Sequence, residues 1–171
     1  KQQMEGEKTS PESFDLSTLS QEIVQLYEER AEAKGVSLKR RIMPNSLVYG
    51  DLNQARAILR NLVGNAIKFT NQDDAIEILS EPNDSGGMTI MVRDTGVGMD
   101  SEKASDLFNI HPESTVGTSG EKGIGLGLIL AQEFVEKNGG KKWVESKLGE
   151  GSTFYFTLPL GHKASVATII T

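Results

Sequence analysis

An α/β (α+β) two-layer sandwich, with helices on one face of a mixed, mainly antiparallel sheet, is the fold class this sequence predicts. Two observations carry that expectation. The run from about Asp51 to Phe69 repeats its apolar residues at helical spacing. Short apolar segments come in pairs joined by turn residues: Ala75–Ser80 with Met88–Arg93, and Lys142–Ser146 with Thr153–Leu158. Helical patterns lie between and before these pairs, so strands and helices are interleaved along one chain.

The elements follow in order. Residues 1–15 are polar, contain Gly6 and Pro11, and read as a linker or the frayed end of a preceding element. From Leu16 the positions Leu19, Ile23, Leu26 and Tyr27 keep helical spacing, with Ser17 or Thr18 as the cap and Gly35 as the stop. Val36–Met43 and Leu47–Tyr49 read as strands around the Pro44-Asn45 turn. The Asp51–Phe69 helix follows, and then the hairpin whose loop is Pro82–Gly87. Residues 100–108 suit a short helix, and 109–122 a long loop of the kind that is usually functional. Gly123–Lys137 reads as a helix ended by Asn138-Gly139-Gly140. The last two strands meet at Gly149-Glu150-Gly151.

The bulk numbers narrow the class. At 171 residues the chain suits one domain, and 37% hydrophobic with 25% charged residues suits a globular core. A net charge of −6 disfavours a nucleic-acid binder, so no nucleic-acid partner is expected. It does not disfavour a nucleotide, because backbone N–H groups and a cation can hold phosphate. The absence of cysteine removes disulfides and Cys-based metal sites. No apolar run approaches the roughly 20 residues that span a bilayer, and no signal peptide is visible. The chain starts at Lys1 rather than Met and reads as a piece of something longer.

Three stretches carry chemistry. With Asn61 at zero and about 100° per residue, Asn65 falls near 40° and Lys68 near −20°, on one narrow face. Leu59, Leu62, Val63 and Ala66 form the core stripe beside it. Two carboxamides and an ammonium at a helix edge can bind a metal–phosphate group, since an Asn oxygen suits Mg²⁺. The same trio also suits a solvated polar face. Next, the strand ending at Asp94 leads into Thr95-Gly96-Val97-Gly98, a turn in which Gly96 and Gly98 allow φ > 0 and close approach of a ligand. A carboxylate there can accept a hydrogen bond from the exocyclic amino group of adenine; an ordinary Asx turn is the other reading. Last, Gly123-Ile124-Gly125-Leu126-Gly127 feeds a helix start, which offers N–H groups and a positive dipole end to phosphate. It does not follow a strand, so it is not a dinucleotide fingerprint.

In this order, Asn61–Phe69, Asp94–Gly98, Gly123–Gly127 and Gly151-Ser152-Thr153-Phe154 resemble the nucleotide site of the GHKL ATPases, and within them the catalytic ATP-binding domain of bacterial sensor histidine kinases. The resemblance runs from about Phe14 to Leu160. It implies the GHKL fold, with ATP as phosphoryl donor and Mg²⁺ as cofactor. Asn65 is then the Mg²⁺ ligand and Lys68 reaches the phosphates, with Asn61 completing the catalytic face. Phe69 lies against the base, Asp94 reads adenine beside Gly96 and Gly98, and Ser152 assists it. Gly123, Gly125, Leu126 and Gly127 hold phosphate, with Lys122 as a cation there or a solvated charge. Ser114–Gly123 resembles the ATP lid and Leu107-Phe108 the box before it. Hydrolytic relatives carry a Glu where Asn61 stands, and an amide cannot deprotonate water.

A phosphoacceptor His is missing, since His111 and His162 are not in the family's helical setting. The implied activity is ATP-dependent protein-histidine kinase, donating the γ-phosphoryl group to a His on a separate dimerisation/phosphoacceptor domain of the same or a sister chain in two-component signalling. The other readings are a hydrolytic GHKL ATPase and a degenerate nucleotide-binding or docking module. Residues 1–15 are the expected linker or stub of that other domain, 16–160 the ATP-binding domain and 161–171 a tail. The expected partner downstream is a response-regulator receiver domain. The domain itself is expected to be monomeric and cytoplasmic, in a homodimeric whole that is free to be membrane-anchored.

Overall fold

The computed structural model describes residues 10–43, 46–100, 102, 104 and 132–161. Seven strands and two long helices are assigned: β1 (Glu12–Asp15), α1 (Leu16–Lys34), β2 (Ser37–Arg41), β3 (Leu47–Gly50), α2 (Leu52–Lys68), β4 (Ala75–Pro82), β5 (Gly87–Asp94), β6 (Lys142–Lys147) and β7 (Gly151–Pro159). Residues 132–137 are helical as well, and so are 102 and 104. Five strands form one sheet in the order β2-β4-β5-β7-β6. β2 and β4 run parallel; the other neighbours are antiparallel. The sheet is therefore mixed and mainly antiparallel, as the paired hairpin patterns predict.

β1 corrects one local expectation. It lies in the stretch that reads as a linker, yet it pairs with β3 from Glu12↔Gly50 to Asp15↔Leu47. Four residues with one buried side chain, Phe14, carry too little period-2 signal to be read locally. Pairing with a segment beyond α1 and β2 supplies the rest. The α1 cap is also different: Asp15, not Ser17 or Thr18, is the N-cap, and its Oδ1 accepts from the Ser17 N–H at 2.9 Å. Asp51 does the same for α2, accepting from the Gln54 N–H at 3.0 Å and from the Ser10 N–H at 2.8 Å.

The helices cover one face of the sheet. Leu59, Leu62, Val63 and Ala66 are all buried, as their helical spacing requires, together with Ala55, Ile58 and Ile67. On α1, Leu19 and Ile23 are buried but Leu26 is 54% exposed, so the apolar stripe is narrower than the sequence suggests. Beneath the helices, alternate residues of the strands point inward: Ile76 and Ile78 of β4, Met88, Ile90 and Val92 of β5, Phe154, Phe156 and Leu158 of β7. Burying side chains of this size is worth about 1.5–3 kcal/mol each, which fixes the register of the sheet.

The opposite face is more open. Trp143 and Tyr155 are cross-strand partners there, their rings stacked 4.7 Å apart. Glu77 bridges Arg41 and Arg93 at 2.8 and 2.9 Å. β2 and β6 form the two rims, carrying Lys39, Arg40 and Arg41 on one and Lys142 and Lys147 on the other.

Candidate nucleotide site

Three neighbouring strands each end an inward-facing apolar file with a polar residue. On β5 the file Met88, Ile90, Val92 ends in Asp94; on β7 the file Leu158, Phe156, Phe154 ends in Ser152; on β6, Val144 is followed by Ser146. The register sets these three side by side, Asp94↔Ser152 and Ser152↔Ser146. Directly opposed residues on one face have Cβ atoms roughly 4.5–5.5 Å apart, so the row is a continuous polar patch at one end of the core face.

Asp94 is 5% exposed. Its described partners are two backbone N–H groups, those of Gly96, at 2.8 Å to Oδ1, and Ser152. Burial pushes its pKa up from 3.8 to about 6, against the pull of those two N–H groups and with a further push from the Asp74 charge. A carboxylate held by neutral donors keeps lone pairs for a ligand's N–H, as the adenine reading of Asp94 requires.

The turn after Asp94 is pinned from four directions. Thr95 N–H donates to Ala75 O, Val97 N–H to Phe69 O, and Met99 N–H to Ser146 Oγ, while Val97 O accepts from Gly149 N–H. Both glycines are required by this packing. A Cβ on Gly96 would lie 2.1 Å from Phe69 O, and one on Gly98, where φ is 69°, 2.1 Å from Lys147 O. The close approach that the sequence reading reserves for a ligand is made here by the protein's own carbonyls.

The bond from Val97 to Phe69 ties this turn to the end of α2. Phe69 is the C-cap and donates its N–H to Asn65 O at 3.2 Å, one turn back. Asn65 is 7% exposed, and its Nδ2 has no hydrogen-bond partner among the described residues. An unpaired buried amide costs about 1–3 kcal/mol, which makes Asn65 a candidate contact for a ligand. Rotating the amide exchanges Nδ2 and Oδ1, so the same group can meet a phosphate oxygen or a cation. Mg²⁺ fits that donor set. It takes one or two protein oxygens and completes its shell with water and substrate phosphate. No cluster of three or more His, Cys, Asp or Glu offers a metal site among the described residues. Asn61 is half-buried and spends its Nδ2 on Ala57 O at 2.9 Å. Lys68 is half-buried on the last turn.

The structure thus brings Phe69, Asp94, Gly96, Gly98 and Ser152 together and sets Asn61, Asn65 and Lys68 along the helix that ends at them. Lys122, Gly123, Gly125, Leu126 and Gly127 lie outside the described residues, as do His111, His162, the 109–122 loop and residues 1–9 and 162–171. Three contributors escape the sequence reading. Lys34, the last residue of α1, donates to Ile67 O at 2.6 Å and Lys68 O at 3.2 Å and so holds the end of α2. Asn138 accepts from Asp51 N–H at 2.7 Å and donates to Gln54 Oε1 at 2.7 Å, locking the end of the 132–137 helix to the start of α2. Ser146 is the third. No local signal marked it: Lys142–Lys147 does not alternate apolar and polar residues cleanly, and Ser146 meets the site only through its register with β7.

Comparison with known proteins places the chain in a family. Residues 50–162 match the family described as histidine kinase-, DNA gyrase B- and HSP90-like ATPase. An adaptive-response sensory kinase, SasA of Prochlorococcus marinus, is 32% identical over 157 residues, covering 90% of this chain and 41% of SasA. The sensor histidine kinase GacS of Pseudomonas protegens is 36% identical over 154 residues, covering 86% of this chain and 17% of GacS. The chain therefore spans less than half the length of these relatives. Among solved structures, the catalytic domain of histidine kinase ThkA superposes with a TM-score of 0.75 at 27% identity, covering 89% of this chain and 97% of that one. Full-length ShkA in complex with AMPPNP gives 0.75 at 26% identity, covering 91% of this chain and 32% of ShkA. The chain belongs to the histidine kinase-, DNA gyrase B- and HSP90-like ATPase family, and its relatives set it among the catalytic domains of sensor histidine kinases.

Proposed function

We propose that this domain binds Mg-ATP and presents its γ-phosphoryl group to a histidine on a separate dimerisation/phosphoacceptor domain. The observation that carries the reading is the buried Asp94 carboxylate at the end of the Asp94–Ser152–Ser146 row, a short tied loop away from Phe69 and the α2 face of Asn65. Asp94 accepts from the exocyclic amino group of adenine, with Ser152 beside it and Phe69 against the base. Asn65 gives its oxygen to the Mg²⁺ that neutralises phosphate charge, and Lys68 and Lys122 add cationic charge. Gly123, Gly125, Leu126 and Gly127 supply N–H donors to the phosphates. The site needs no general base for water. Asn61 carries an amide where a hydrolase needs a carboxylate, so the bound triphosphate is spared for the imidazole acceptor. Transfer breaks the bond from the γ-phosphorus to its bridging oxygen, leaves the electron pair on ADP and forms a phosphorus–nitrogen bond. Positioning and charge neutralisation are what such a site contributes. The expected partners are that acceptor domain, in a homodimeric whole protein, and a receiver domain downstream.

The test is incubation of γ-labelled ATP with this chain and a separately prepared acceptor domain. Acid-labile label on the acceptor, with little free phosphate released in its absence, is the expected result. Rapid steady-state phosphate release without acceptor would instead make the domain a hydrolase.

A further inference from the structure

The proton inventory of the polar row carries a second conclusion. Ser146 Oγ has three neighbours: Met99 N at 2.8 Å, Gly151 O at 3.0 Å and Ser152 Oγ at 2.7 Å. A serine hydroxyl has one proton to give and two lone pairs to receive. Gly151 O is a carbonyl and can only accept, so the Ser146 proton goes there. Met99 N–H can only donate, so it takes one Ser146 lone pair. With the Ser146 proton on Gly151 O, the remaining lone pair faces Ser152 Oγ, and the bond between the two hydroxyls then runs from Ser152 to Ser146. The Ser152 proton is then spent inside the protein. What Ser152 offers outward is lone pairs alone, next to a carboxylate that offers the same.

We propose that Ser146 sets the base specificity of the site by consuming the hydroxyl proton of Ser152, so that Ser152 meets the base only as an acceptor. This rests on the adenine reading of Asp94 above. Two adjacent acceptors match an exocyclic amino group, which brings two N–H donors. They oppose a carbonyl at the same ring position, which would face lone pairs with lone pairs. A free Ser152 hydroxyl would be indifferent, because it could turn and donate. Ser146 touches no base in this scheme. It is a positioning residue that acts through Ser152, and through Met99 it also anchors the turn that follows Asp94.

ITP separates these roles, since it replaces the amino group of ATP with a carbonyl and adds no second substituent; its N1 becomes an N–H donor, a change that is the same for every variant compared. The experiment is calorimetric titration of the 171-residue chain with ATP and with ITP. Ser146→Ala should narrow the ATP-over-ITP preference about tenfold, because the released Ser152 hydroxyl can now donate to the carbonyl. Ser146→Thr keeps the hydroxyl and should keep the preference. A Ser146→Ala chain that loses ATP and ITP affinity in equal proportion would overturn the proposal and leave Ser146 as a loop anchor. Should Ser146→Ala not fold, Ser152→Ala decides the same point. An acceptor-only Ser152 predicts that ATP weakens more than ITP, and the reverse would overturn the proposal. Asp94→Asn keeps the underlying reading separate: if it leaves both affinities untouched, the adenine assignment fails, whatever Ser146 does.

Discussion

Asp94 sits 5% exposed at the end of β5 with two backbone N–H groups on it and the Asp74 charge nearby. Its pKa rises from 3.8 to about 6, so between those two values the folded chain holds a proton that the unfolded chain has released. The sign follows from linkage. The raised carboxyl favours folding at low pH; that contribution fades as pH climbs through the window and has become a cost above pH 6, on the order of 2–3 kcal/mol. On the proposed adenine role of Asp94, ligand binding runs the other way, because the ionised oxygen would be the acceptor. ATP affinity should therefore be level above about pH 7 and fall toward tenfold per pH unit below about pH 6. Asp94→Asn should bind weakly at every pH and lose the slope, with its circular dichroism unchanged. A sloping affinity in the variant would place the titrating group elsewhere. Asn65 supports a separate prediction. Asn65→Ala removes the buried amide whose Nδ2 has no described partner, so it should remove the gain in ATP affinity that Mg²⁺ brings and leave adenosine binding nearly as it was. Equal Mg²⁺ enhancement in the variant would move the metal to another residue.

At the scale of elements, α2 is held at both ends by other parts of the chain. Asp51 and Asn138 fix its start; Lys34 and the Val97 N–H fix its finish. Lys34→Met keeps the stem and removes the cation from the last carbonyls. It should cost about 1–2 kcal/mol in urea unfolding and weaken ATP binding as Lys68 and Phe69 loosen. An unchanged midpoint would mean that water serves those carbonyls as well. The two layers of information differ in how far the sequence shows them. The stripe of Leu59, Leu62, Val63 and Ala66 was legible, because helical period depends only on neighbours three and four residues away. The Asp94 turn was legible for the same reason, through its glycines. What stayed hidden depends on pairing across the chain. β1 finds its partner beyond α1 and β2, Asn138 reaches back 87 residues to Asp51, and Ser146 meets Ser152 only through strand register. Leu26 shows the opposite failure, a correct period on a side chain that no described residue covers fully.

Across the whole molecule the site and the fold are one event. Asn65 comes from α2, Asp94 from β5, and Ser146 and Ser152 from β6 and β7, so the row and Asn65 together draw on both halves of the chain. The only tryptophan, Trp143, lies on β6 against Tyr155 and reports on the same sheet. Trp143 fluorescence and ATP binding should be lost at one urea concentration. Mg-ATP at about 100 times its dissociation constant should raise the unfolding free energy by about 2.7 kcal/mol. Asp94→Asn should show almost none of that gain; an equal gain would detach the nucleotide from this row. The rims of the sheet bear on how copies of the chain treat one another in a crowded solution. Each rim leaves a line of backbone donors and acceptors without a strand among the described residues, a template on which another chain could polymerise. Lysine and arginine sit along both lines: Lys39, Arg40 and Arg41 on β2, Lys142 and Lys147 on β6. Arg41 and Lys142 are paired with Glu77 and Glu136, so rim meeting rim sets Lys39, Arg40 and Lys147 against one another, although the chain as a whole is anionic at −6. The repulsion is local where edge pairing would start, so these charges work against strand addition at the sheet's margins.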